Sequence, residues 1–204
     1  FVSFLPSREE KKDKGVCDMP LPYRQERKFP HKSLIIHPHR TTNPNMNRIE
    51  TLFQSGRRDL LSIYFCAGTP RPDATADTIR ALERHGVDLI EIGIPFSDPM
   101  ADGPVIQRAA TDALRHGMTL RRLFDDLTDI RLPLILMGYL NPILRFGFEA
   151  FCARCAEVGI DGVIIPDLPF ADYMTDYRPL AQRYGLDMIM LITPETSEER
   201  IRAI

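Results

Sequence analysis

A chain of 204 residues has room for one domain with a sizeable core, since domains commonly run to about 100–200 residues. Its formal charge of -2 and pI near 6.2 argue against a general nucleic-acid surface, which needs clustered and uncompensated Lys and Arg, and favour a small ligand or a protein partner. No apolar run approaches the ~18 residues that span a bilayer, and the four cysteines follow no signal-like segment, so a reducing, cytoplasmic setting is expected rather than a disulfide framework or a membrane.

In chain order, residues 1–45 come first and differ from the rest. They hold nine Lys/Arg against five Asp/Glu, three of the five His and six of the 17 Pro, without sustained apolar periodicity. No packed core comes from that composition, so an irregular or disordered N-terminal extension is expected. Met46 directly precedes NRIETLFQSG, a short amphipathic helix pattern with Ile49, Leu52 and Phe53 on one face. Met46 is expected to be the natural start, a genuine basic extension being the alternative, and residues 46–204 to be the folded domain.

From Leu61 onward, LSIYFCAG, VDLIEIGIP, LPLILMGY, DGVIIPDLP and LDMIMLITP are short, nearly continuous apolar runs. Strands buried on both faces of a parallel sheet read this way. Helical patterns lie between them, at about 74–85, 104–115, 120–130, 148–158 and 171–184, with one more starting near Ser197. Four of these end in glycine, at Gly86, Gly117, Gly159 and Gly185, where a left-handed cap is cheap. In FEAFCARCAEVG the spacing of Phe148, Phe151, Cys152, Cys155 and Val158 places them on one helix face, so the CxxC reads as buried core thiols rather than metal or redox chemistry.

Three junctions repeat: GVDLIEI (86–92), GIDGVII (159–165) and GLDMIML (185–191) each set a helix-ending Gly, a spacer and an Asp before a buried strand. One βα unit is being reused. Five such strands suit a doubly wound sheet or part of a (β/α)₈ TIM barrel; the barrel is preferred because AGTPRPD, not a GxGxxG fingerprint, follows the first strand.

In either architecture ligands meet the carboxyl ends of the strands. There the run EIGIPFSDPMADG (91–103) sets Glu91 inside an apolar strand, where a charged carboxylate is costly; this suits a group that donates a proton, although a Glu satisfied by backbone donors or a Lys is the alternative. Asp102 can equally be a cap before Gly103-Pro104, and Asp98 a turn residue before Pro99. Two carboxylates in one mouth would make an acid and base pair.

The stretch EIGIPFSDPMADGPVIQRAA (91–110) resembles the signature of the tryptophan synthase alpha chain family. The resemblance extends over 46–204, through LFQSG (52–56), LMGYLNP (136–142), VIIPDLP (163–169) and MLITPETS (190–197). It implies a (β/α)₈ barrel that cleaves indole-3-glycerol phosphate to indole and glyceraldehyde 3-phosphate. It also implies a complex, expected as α2β2, with a β chain that carries pyridoxal phosphate and receives the indole, while the α chain itself holds no cofactor. Glu91 is then the acid that protonates the indole ring at its substituted carbon, and Asp102 the loop carboxylate that assists at the ring nitrogen. Tyr64 occupies the position of an aromatic beside the indole, with an ordinary core aromatic as the alternative. Tyr139 and Asn141 lie in a loop near the substrate and the β-chain interface. A free-standing lyase of the family and a catalytically silent activator are the alternatives, the second weakened by the presence of both carboxylates. The barrel is expected to be truncated after about five strands, short of the loops that hold the phosphate, and such an unclosed edge is expected to make the chain aggregation-prone.

Overall fold

The structure is a computed structural model and describes residues 47–204. The expectations for residues 1–45 and for Met46 as the start lie outside the described residues. In chain order come α1 (Arg48–Gln54), β1 (Ser62–Cys66), α2 (Thr75–Arg84), β2 (Leu89–Gly93), α3 (Pro104–Arg115) and α4 (Leu120–Asp126). Then follow β3 (Leu134–Met137), α5 (Leu140–Phe146), α6 (Phe148–Val158), β4 (Gly162–Ile164) and α7 (Phe170–Asp172). A π-helical turn (Tyr173–Tyr177), α8 (Arg178–Arg183), β5 (Asp187–Met188) and α9 (Glu198–Ala203) complete the described chain.

All five strands pair in parallel, in the order β1-β2-β3-β4-β5. A doubly wound sheet reverses its strand order at a switch point, whereas strands laid down in sequence order are those of a barrel wall. The glycines at 86, 117, 159 and 185 all adopt positive φ, between 63 and 80°, as their place after helices requires. Three expectations need correction. The helix from Leu120 stops at Asp126, because Leu127 is extended and Asp129 turns left-handed. Residues 140–146 are helical, so Asn141 lies on a helix and not in the loop expected for it; Pro142 falls within the first turn, where it removes no helical hydrogen bond. Phe53 is 55% exposed, since Ile49 is the one buried residue of α1.

Strand alternation divides the core in two. Ile90, Ile92, Leu134, Leu136, Val163 and Ile165 pack outward into one large cluster with Phe124, Phe148, Phe151, Cys152 and Cys155 of the helices. The thiols of the CxxC are thus fully buried core groups, and burial pushes the Cys152 thiol up to about 12. The opposite phase, Leu89, Ile135 and Ile164, faces the barrel interior and meets Ile49 of α1. Gly162 leaves the space: a Cβ there would lie 3.0 Å from both the Ile49 and the Ile189 Cδ1.

The repeated aspartates occupy the amino ends of the strands. Asp88 accepts the Leu61 amide at 3.0 Å and meets Arg57 at 2.6 Å, and the Leu61 hydrogen bond holds its carboxyl below the usual range. Asp161 accepts the Leu134 amide at 2.9 Å and Arg48 Nη2 at 2.8 Å, while Arg48 also donates to the carbonyls of Ile130 at 2.9 Å and of Gly159. Asp187 accepts from Asn47, which caps α1 in a reciprocal box with Glu50. Helix α1 is thereby pinned across the barrel floor. Asp161→Ala strands the Arg48 guanidinium and the Leu134 amide, and is expected to cost about 3–5 kcal/mol in urea denaturation. A loss below about 1 kcal/mol would show that the floor depends on other contacts.

Candidate active site

Glu91 lies in mid-strand β2, in register with Tyr64 of β1 and Ile135 of β3, and shares the inward phase of Leu89. Its carboxylate is half-buried in the barrel interior, where the Ser62 hydroxyl donates to Oε1 at 2.7 Å. Neither a Lys nor a backbone amide satisfies it among the described residues. This contact of Ser62 was not visible in the sequence; its only signal was a hydroxyl on the same inward phase as Tyr64.

Asp102 does not cap α3. Gly103 is the N-cap residue and Pro104 opens the helix, without a side-chain cap. The Asp102 carboxylate turns toward the β3–α5 loop and accepts the Tyr139 hydroxyl at 3.2 Å, while its own carbonyl accepts Gln107 Nε2 at 2.7 Å. The same Tyr139 oxygen accepts the amides of Met100 at 3.0 Å and Ala101 at 3.1 Å, and the rings of Phe96 and Tyr139 lie 5.1 Å apart. Asp98 is exposed and accepts from Ser97 at 2.5 Å, and Asn141 is exposed on α5. Asp167, also unnoticed in the sequence, accepts the Leu140 amide at 2.8 Å and so fixes the start of α5.

One cleft at the carboxyl end of the sheet brings together Tyr64, Ile94, Asp102, Tyr139, Pro166 and Leu191. Glu91 does not line it, but lies close enough for its charge to act on Tyr64. Burial above all, then Cys66, Asp102, Glu91 and Tyr139, holds the Tyr64 phenol well above its ordinary range, so it stays a neutral hydrogen-bond donor. Burial and Asp102 push the Cys66 thiol up to about 11. Among the described residues no group of His, Cys, Asp and Glu is arranged to hold a metal ion. The chemistry this arrangement offers is acid and base action by separate carboxylates beside an aromatic, mostly apolar wall.

Gly93 makes room for that wall. A Cβ at this position would run into the Tyr64 hydroxyl. Gly93→Ala is therefore expected to displace the Tyr64 ring from the cleft and to destabilise the fold by about 1–3 kcal/mol, read as a lowered Tm. An unchanged Tm would show that the ring moves aside freely.

Comparison with known proteins bears on the fold and the family. The tryptophan synthase alpha chain family model matches residues 50–204. The tryptophan synthase alpha chains of Bacteroides fragilis and Bacteroides thetaiotaomicron are 68% and 66% identical over 163 residues. These alignments cover 78% of this chain and 62% and 64% of those relatives, so the chain spans less than two thirds of their length. Among solved structures, tryptophan synthase subunit alpha from Legionella pneumophila is 41% identical with a TM-score of 0.72, covering 77% of this chain and 63% of that one. Tryptophan synthase from M. tuberculosis is 35% identical with a TM-score of 0.72, covering 77% and 65%. The five parallel strands are thus part of a (β/α)₈ barrel, and the chain belongs to the tryptophan synthase alpha chain family.

Proposed function

We propose that the protein cleaves indole-3-glycerol phosphate to indole and glyceraldehyde 3-phosphate, with Glu91 as acid and Asp102 as base. The observation that carries this reading is a loop carboxylate, Asp102, lining one aromatic-walled cleft, with the interior carboxylate of Glu91 on β2 in register with Tyr64 of that wall, on the family's own sequence pattern. Glu91 protonates the indole carbon that bears the side chain. Positive charge then develops toward the ring nitrogen, and Asp102 offsets it by drawing on the N–H. The carbon–carbon bond breaks, its electrons return to the ring, and the adjacent alcohol becomes the aldehyde. The alcohol proton restores Glu91, so no net proton is consumed. The rings of Tyr64 and Tyr139 offer flat apolar walls for the indole.

No cofactor takes part in this scheme; pyridoxal phosphate belongs to a partner β chain that takes up the indole in the cytoplasm, in an α2β2 assembly. Residues 46–204 supply the amino-terminal strands of the barrel domain and residues 1–45 an extension before it. Met100, 62% exposed on the loop that carries Asp102, supports a partner face there.

Two experiments test the proposal in protein spanning the full length of its relatives. Glu91→Gln is expected to lower kcat for indole formation by about 10²–10⁴-fold without loss of fold, and Asp102→Asn to cost less. Turnover near wild type in Glu91→Gln would end the assignment, and a greater loss in Asp102→Asn would exchange the roles. Met100→Glu is expected to weaken β-chain binding about tenfold or more, with cleavage by the isolated α chain within about threefold. Unchanged binding would remove the partner from this face. Wild-type protein that releases indole freely and binds no β chain would instead be a free-standing lyase.

A further inference from the structure

We propose that Tyr139 is a positioning residue for Asp102, aiming its carboxylate from the rigid end of β3, and that its hydroxyl does not bind substrate. This rests on the reading of Asp102 as the base. A phenol offers one donor and two acceptor positions. In Tyr139 all three are filled by a single loop: the O–H donates to Asp102 Oδ2 at 3.2 Å, and the oxygen accepts the amides of Met100 at 3.0 Å and Ala101 at 3.1 Å. None is left for a ligand, although the ring still lines the cleft.

Both ends of the device are anchored. Tyr139 is buried where β3 passes into α5, beside Leu140, whose amide is held by Asp167. The Phe96 ring packs against it from the near side of the loop, and the Asp102 carbonyl is tied to Gln107 of α3 from the far side. Backbone contacts fix where residue 102 is. The direction of its carboxylate is set, among the described residues, by the Tyr139 hydroxyl. Two amides donating into the phenol oxygen also polarise its O–H, which strengthens the bond it gives to a charged acceptor.

The test is Tyr139→Phe, which keeps the ring and removes the hydroxyl, made in full-length protein alone and combined with Asp102→Asn. Cleavage of indole-3-glycerol phosphate is expected to fall about 10–100-fold in kcat with KM within about threefold, the effect of losing one hydrogen bond to a charged group. In the Asp102→Asn background the same change is expected to cost less than threefold, because it acts through that carboxylate. Hydrogen exchange at the Met100 and Ala101 amides is expected to accelerate about tenfold or more, and this readout needs no activity. A rise in KM at constant kcat would assign the hydroxyl to substrate and overturn the proposal. Equal costs in the two backgrounds, or unchanged exchange, would overturn it as well. Wild-type protein without cleavage would refute the proposed reaction, and the exchange rates alone would then decide for or against the clamp.

Discussion

The phase of strand alternation is the constraint on which the rest depends. Residues of even and odd number along each buried strand face different partners, helices on one side and the barrel interior on the other. Slipping β2 by one residue would drive Glu91 into the shell of Ile79, Leu123 and Phe124, and would turn Ile90 or Ile92 toward the interior. The hydrogen bond from Ser62, the neighbourhood of Tyr64 and the Gly93 opening all follow from that one choice of phase. The carboxylate's place is thus enforced by the apolar residues on either side of it, each of which fits only the other face.

The two ends of the sheet hold their carboxylates in different ways. At the amino ends, Asp88 and Asp161 are saturated by backbone amides and arginines, and their charge is spent on holding strands and α1 together. At the carboxyl end, Glu91 and Asp102 each accept a hydroxyl and have no cation within salt-bridge distance among the described residues. A carboxylate tied to a guanidinium is a poor proton carrier, whereas one held by a hydroxyl keeps an oxygen available. The division matches the rule that barrel chemistry gathers at the carboxyl ends and stability at the other.

Much of this could be read from the sequence, and the parts that could not share a cause. Continuous apolar runs, the helix-ending glycines and the Gly-x-Asp repeat report local backbone demands, so strands and most helices were legible. Glu91 and Asp102 stood out because a carboxylate in an apolar run and an acid in a fixed loop pattern are visible one residue at a time. Hidden were relations between elements: Tyr139 filling its hydroxyl with loop amides from a different βα unit, Ser62 reaching the neighbouring strand, and Asp167 holding α5. The short helix α5 was not expected either, and it accommodates Pro142 because a proline in the first turn removes no helical hydrogen bond. The π-helical turn at Tyr173–Tyr177 interrupts an otherwise regular amphipathic pattern, and we found no local signal for it.

The pinning of α1 beneath the barrel bears on the order in which the chain assembles. Arg48 and Asp161 are separated by 113 residues, and Asn47 and Asp187 by 140, yet α1 has only seven residues and one buried side chain of its own. A helix that short is marginal in isolation. Its partners Asp161 and Asp187 come into place only with the fourth and fifth strands, and loop closure over such separations is entropically unfavourable until those contacts are in place. The first described element in chain order is therefore among the last to find its place, and its docking reports that the amino ends of β4 and β5 are in position.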